Sequence, residues 1–223
     1  TEVIDRQAAL IVQQAIADVI LHTTINDPEA HAPQMGALAA TGQTSIKIFM
    51  NFGGFDPNAS AFLQMIAAAG DAGVLTMIHA EDASILANQA AELEAQGRTS
   101  VAYQPEARPA LAEEVAMMRA VAMAEQTGSP VYAVHVSSER ALRVAQAARA
   151  RGLPFFIETR PIYLHLTRER FDGPDAGLYV GQPPLREQSD QDALWEALAN
   201  GTIDVVGTDH VAYSREDKLD PSQ

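Results

Sequence analysis

Ser45-Ile46-Lys47-Ile48-Phe49-Met50 is an apolar, β-branched run with a lysine at its centre, and three further runs repeat the pattern. Val74-Leu75-Thr76-Met77-Ile78 ends on His79, Val131-Tyr132-Ala133-Val134 ends on His135, and Asp204-Val205-Val206-Gly207-Thr208 ends on Asp209. Parallel strands buried on both faces have this apolar composition and rarely carry charge. Lysine, two histidines and an aspartate can all bind metal or move protons. Found at matching positions in successive βα units, they point to one site where strand ends converge. That is the active-site face of a (β/α) barrel.

Outward from these runs the segments alternate. Helical patterns cover Ile4–Ile16, Met35–Ala40, Ala59–Ala69, Ala83–Ala95, Pro109–Gln126, Ser138–Arg151 and Asp190–Ala199, the last with Ser189 as expected cap. Strand patterns cover Val19–Ile25, Ser45–Asn51, Val74–Ala80, Val131–Val136, Phe155–Thr159 and Ile203–Thr208. Strands separated by helices predict parallel βαβ units. The reading finds six strands, whereas a closed barrel needs eight. The Pro-, His- and Ala-rich stretch after Ile25 and the polar tail Ser214–Gln223 read as loops.

Composition narrows the chemistry. The chain has 223 residues, 47% of them hydrophobic, which suits one domain with a sizeable core. Its net charge of −14 disfavours nucleic acid and anionic membrane surfaces as partners. With no cysteine, thiolate metal sites and thiol nucleophiles are excluded. No apolar run reaches the roughly 20 residues of a membrane span, no signal peptide is visible, and a cytoplasmic protein is expected. No GxGxxG, P-loop or GxSxG pattern is present.

Each candidate has a structural alternative. Lys47 could lie on an edge strand with its ammonium reaching solvent. If buried instead, its depressed pKa leaves an amine that reacts with carbon dioxide, and the carbamate is a bidentate oxygen ligand. His79 and His135 could be core or cap histidines, but beside a buried lysine and an aspartate they read as metal ligands. Asp209 reads as a helix N-cap or as metal ligand and general base. His210 reads as a residue that orients a ligand or as structural. Glu158 is a support for the ligands or a partner of Arg160 or Arg186. His22 reads as structural.

With these residues laid out, the chain resembles the dihydropyrimidinase/hydantoinase branch of the amidohydrolase superfamily. The stretches SIKIFMNFGG, MIHAEDASIL, RPALAEEVAMMRAVAMAEQTGSPVYAVHVSSERAL, FIETRPIYLHLT, GQPPLREQSDQDALWEAL and VVGTDHVAY carry the resemblance between Thr44 and Tyr213. It implies an α/β, TIM-type (β/α)8 barrel of the metal-dependent hydrolase kind, here covering about strands three to eight. The first two strands, the terminal β-sandwich and the C-terminal part are expected to lie outside residues 1–223. It implies opening of a cyclic amide by two divalent metal ions, expected to be zinc, bridged by carboxylated Lys47. His79 and His135 then bind the more exposed ion, and Asp209 binds the buried one and shuttles the proton. Phe52 and Gln182 fall at substrate-binding positions, His210 beside the metals, and a homo-oligomer is expected. A non-catalytic scaffold relative would have lost ligands, and all four that this chain can show are present. Two features depart from the pattern. The HxH pair of the first barrel strand does not occur in this chain. Phe52 also stands where ring-opening members carry an oxyanion-binding tyrosine, and phenylalanine has no hydrogen to donate. That departure favours dihydroorotate, allantoin or another amide as an alternative substrate.

Overall fold

The computed structural model describes residues 2–220. Along the chain run α1 (Glu2–Gln14), β1 (Thr23–Thr24), α2 (Pro28–His31), α3 (Met35–Ala40), β2 (Ser45–Phe49), α4 (Ala59–Asp71), β3 (Leu75–His79), α5 (Ala83–Ala95), α6 (Gln104–Ala107) and α7 (Ala110–Thr127). They continue with β4 (Val131–Ala133), α8 (Glu139–Ala150), β5 (Phe155–Thr159), α9 (Pro161–His165), α10 (Gln188–Ala199), β6 (Val205–Val206) and α11 (Arg215–Leu219). The strands form one six-stranded sheet in chain order, and every neighbouring pair is parallel. This is the six-stranded arc of a (β/α) barrel.

Register decides which side chains face the site. Lys47 pairs with Met77, Phe49 with His79, Met77 with Tyr132, Tyr132 with Phe156, and Glu158 with Val205. With a side-chain period of two, these residues share the inner face. Ile46, Ile48, Ile78, Val131 and Ile157 alternate with them and are buried against the helices. On that outer side α7 and α8 pack together through buried alanines, Ala116, Ala120 and Ala124 against Ala141, Ala145 and Ala148. Spacings of three and four residues put each set on one helix face, and small side chains let the helices come close.

Several expected boundaries move, for physical reasons. The first strand shrinks to Thr23–Thr24, with Val19 and Ile20 left exposed, because it has a partner on one side only. The fourth ends at Ala133 because His135 adopts φ 44. The last narrows to Val205–Val206 at the open edge, although Asp204 and Gly207 still donate to Ile157 O and Thr159 O. Helix α10 begins after Glu187, whose N–H donates to Asp190 Oδ2 at 3.2 Å, so Ser189 lies inside the first turn and is not the cap. The stretch after Ile25 is not all loop, since Asp27 caps α2 by accepting from Ala30 N at 3.0 Å. Nor is the tail, where Ser214 and Asp217 cap α11 reciprocally. Residues 221–223 of that tail lie outside the described residues.

Candidate metal centre

His79 is the last residue of β3, and His135 lies two residues beyond β4. Both are buried, their rings meet edge to face with centroids 4.6 Å apart, and His79 Nδ1 is 3.0 Å from His135 Nε2. Glu81, fully buried, receives the other nitrogen of His79 at 2.6 Å. Burial works against ionising Glu81, but the hydrogen bond and charge of His79 and the Arg108 guanidinium outweigh it and hold the carboxyl below its ordinary range. An ionised carboxylate only accepts. The proton of His79 therefore sits on Nε2, and Nδ1 presents a lone pair to His135. Burial lowers the pKa of His79 as well. His135 is pushed well below the histidine range by burial, then by the charges of His79 and Lys47. Two neutral imidazoles thus face each other, as metal-binding histidines must.

Lys47 lies on an internal strand between β1 and β3, so the edge-strand reading falls. Its buried Nζ has no hydrogen-bond partner among the described residues and sits 3.8 Å from the centre of the Phe49 ring. Burial lowers its pKa to about 8, against the pull of Asp209 and Glu158. Asp209 precedes no helix and is not a cap. It adopts φ 47, and its carboxylate lies 3.6 Å from Arg160 Nη1. His135 and Asp209 are the two non-glycine residues with positive φ among the described residues. Such conformations cost about 1–3 kcal/mol each and cluster at functional sites.

Supporting residues lock this arrangement. Glu158 accepts from His135 N at 3.0 Å and from Tyr132 OH at 2.6 Å, so it pairs with neither Arg160 nor Arg186. A Cβ at Gly207 would lie 2.7 Å from Glu158 Oε2, so a larger residue there would push the carboxylate aside. Behind His135, Glu113 accepts from Ser137 N at 2.7 Å and Ser137 Oγ at 2.8 Å. Arg186 donates to Ser137 Oγ and to Arg108 O, and Arg108 donates in turn to Glu81. Sequence reasoning gave no role to Glu81, Arg108, Glu113 or Tyr132. One signal was available, since Glu113 interrupts the apolar face formed by Ala112, Ala116 and Met117.

A cleft of about 1650 Å³ is lined among others by Phe49, Arg160, Gln182, Asp209, His210 and Lys218. Gln182 Oε1 accepts from Asn51 Nδ2 at 3.3 Å. His210 is exposed on the cleft wall. Phe52 is 60% exposed, with its ring 5.4 Å from that of Phe49. His22, read as structural, bonds the Ser45 hydroxyl. Among the described residues no three His, Asp or Glu side chains form a metal-holding group. The side chains brought together are two imidazoles and a lysine. Two neutral nitrogens converging beside a buried, unpartnered amine suit a cation better than they suit an empty core.

No family model matches the chain. It is 34% identical over 196 residues to a D-hydantoinase of Ralstonia pickettii, covering 86% of this chain and 43% of that protein. It is 32% identical over 212 residues to a D-phenylhydantoinase of Escherichia coli O9:H4 (strain HS), covering 94% and 46%. A solved D-hydantoinase superposes with a TM-score of 0.90 at 32% identity, over 95% of this chain and 47% of that one. Over nearly its whole length the chain is similar to the hydantoinases. It spans about half the length of the curated relatives it matches. A dihydroorotase from Campylobacter jejuni, at 13% identity and a TM-score of 0.61, shares the fold. No helix among the described residues is long and apolar enough to cross a membrane.

Proposed function

We propose that the protein carrying this chain hydrolyses a cyclic amide, with Lys47, His79, His135 and Asp209 as the metal-holding and proton-moving groups. The observation that carries the reading is the 3.0 Å approach of His79 Nδ1 to His135 Nε2 next to the unpartnered Lys47 amine, in a relative of the hydantoinases. His79 and His135 would hold one divalent ion, zinc being suited to two imidazoles and an oxygen donor. The neutral Lys47 amine would add to carbon dioxide and lose a proton, giving a carbamate that would supply anionic oxygen donors to the metal. Asp209 would hold a second ion.

Divalent metal, when bound, polarises the amide carbonyl and makes water acidic enough to attack at neutral pH. The chain's own residues do the rest. Asp209 takes the proton from the attacking water and returns it to the leaving nitrogen. Glu81 keeps the His79 proton on Nε2, and Glu158 fixes the backbone of His135, so both ring nitrogens stay aimed at one point. Phe52 offers no hydrogen to a developing oxyanion, and a missing donor of that kind lowers rate by roughly 10²–10³-fold. The test is a kinetic panel of hydantoin, dihydrouracil, dihydroorotate and allantoin on the metal-loaded full-length protein. Turnover of at least one ring, lost on chelation and in His135→Ala, is the expected result. No opening of any ring overturns the reading.

A further inference from the structure

Arg160 follows β5, and its side chain is 14% exposed on the wall of the large cleft. Nε donates to Thr208 O at 3.2 Å, and Nη1 donates to Tyr163 OH at 3.3 Å. The Tyr163 hydroxyl spends its own proton on Pro183 O at 2.7 Å, so its oxygen is free to accept. These two neutral acceptors pin the guanidinium without consuming its charge. The nearest carboxylate, Asp209, stands at 3.6 Å, too far for a hydrogen bond. Arginine carries five N–H donors in a fork that matches a carboxylate. A second cation, Lys218, lines the same cleft, held by Val180 O at 2.6 Å. The rest of the lining is mixed in charge, with Arg215 and Lys218 set against Asp217 and Asp220 beside the Arg160 and Asp209 side chains. In the proposed reaction Asp209 is occupied with metal and proton, which leaves the guanidinium to whatever the cleft holds.

We propose that Arg160 makes this site selective for a ring that bears a carboxylate, the guanidinium taking that group while the scissile amide lies against Lys47, His79, His135 and Asp209. The inference rests on the cyclic-amide reading and adds the substrate class to it. A site built to pair with a charged group penalises the analogue that lacks it, because its own buried donors are then left unmatched.

Two matched pairs test this on the metal-loaded full-length protein: dihydrouracil against dihydroorotate, and hydantoin against hydantoin-5-acetate. Within each pair the compounds differ only in a carboxylate-bearing substituent, carried at a different ring position in the two pairs. The readout is the kcat/KM ratio of the acid to its neutral partner, so a general loss through Asp209 cancels. A ratio of about 10² in at least one pair is expected, falling to about 1 in Arg160→Met and partly restored in Arg160→Lys. Thermal shift with each compound reads binding where turnover is lost, and the acid should raise Tm in the native protein but not in Arg160→Met. Neutral rings opened as well as their acids, or a ratio unmoved by Arg160→Met, overturn the inference while leaving the cyclic-amide reading intact. Failure to open any of these four rings takes this inference down, and the cyclic-amide reading falls with it only when allantoin is not opened either.

Discussion

At Lys47 burial and charge conflict, and the conflict sets a pH dependence. Burial lowers its pKa from the ordinary 10.5 to about 8. Below about pH 8 the folded chain carries a buried ammonium that cannot add to carbon dioxide. Above it the free amine can. At a fixed concentration of dissolved carbon dioxide, reconstitution of the metal-free protein with zinc is therefore expected to speed up as pH rises through about 8 and then level off, and to be absent in Lys47→Met. A rate that is flat with pH would show that the amine is not the reacting group. The same shift has a sign in stability. Between about pH 8 and 10.5 the unfolded lysine binds a proton that the folded one does not, so stability rises with pH across that window. The penalty is complete below it.

At the scale of elements, the sheet is tied to its helical layer by close approaches that tolerate no extra carbon. Gly70, near the end of α4, is one. A Cβ there would stand 2.2 Å from Ser129 Oγ and 2.7 Å from Ser129 Cβ, and rotating the serine relieves only the first contact. Ser129 is buried in the turn that leads into β4, the strand that delivers His135. Gly70→Ala is expected to cost about 1–3 kcal/mol through overpacking, which lowers Tm by roughly 2–4 °C per kcal/mol in a chain of this size. Gly70→Ala combined with Ser129→Gly should recover most of the loss, and a melting curve for Gly70→Ala that overlays the native one would remove the close approach as its cause. Element identity was legible beforehand because apolar periodicity and caps are local. α3, α5 and β5 match the expected ranges residue for residue. The ends of β1, β4 and β6 were not legible, since they depend on which neighbour the strand finds and on the left-handed turn at His135.

At the scale of the molecule, the sheet runs from β1 to β6 without closing among the described residues. Its inner face shows the opening, with Phe156 40% exposed and Val205 41% exposed where a closed barrel would bury them. The β6 edge also presents Val206, 43% exposed, alongside unpaired backbone groups. Open apolar edges pair with other chains. The 223-residue chain on its own is expected to self-associate as concentration rises, and Val206→Lys is expected to suppress that. Sedimentation or light scattering checks this, and a monodisperse monomer at every concentration would contradict it.

The amino-acid sequence alone determined the alternation of strands and helices. It also determined the chemical identity of the candidate ligands, because a lysine, two histidines and an aspartate in apolar runs are visible without coordinates. It could not choose between a ligand and a core residue for any one of them. What the tertiary structure adds is the relation between residues far apart in the chain: His79 against His135 at 3.0 Å, and Lys47 on an internal strand with no acceptor among the described residues. The supporting groups were hidden for the same reason. Glu81, Arg108, Glu113 and Arg186 belong to different elements, and their charges make sense only once the sheet and α7 bring them into one buried network. Arg160 shows the limit most plainly. In sequence it is one arginine before a proline. Its place on the cleft wall, beside the Asp209 carboxylate yet not hydrogen-bonded to it, exists only after β5 and β6 have paired.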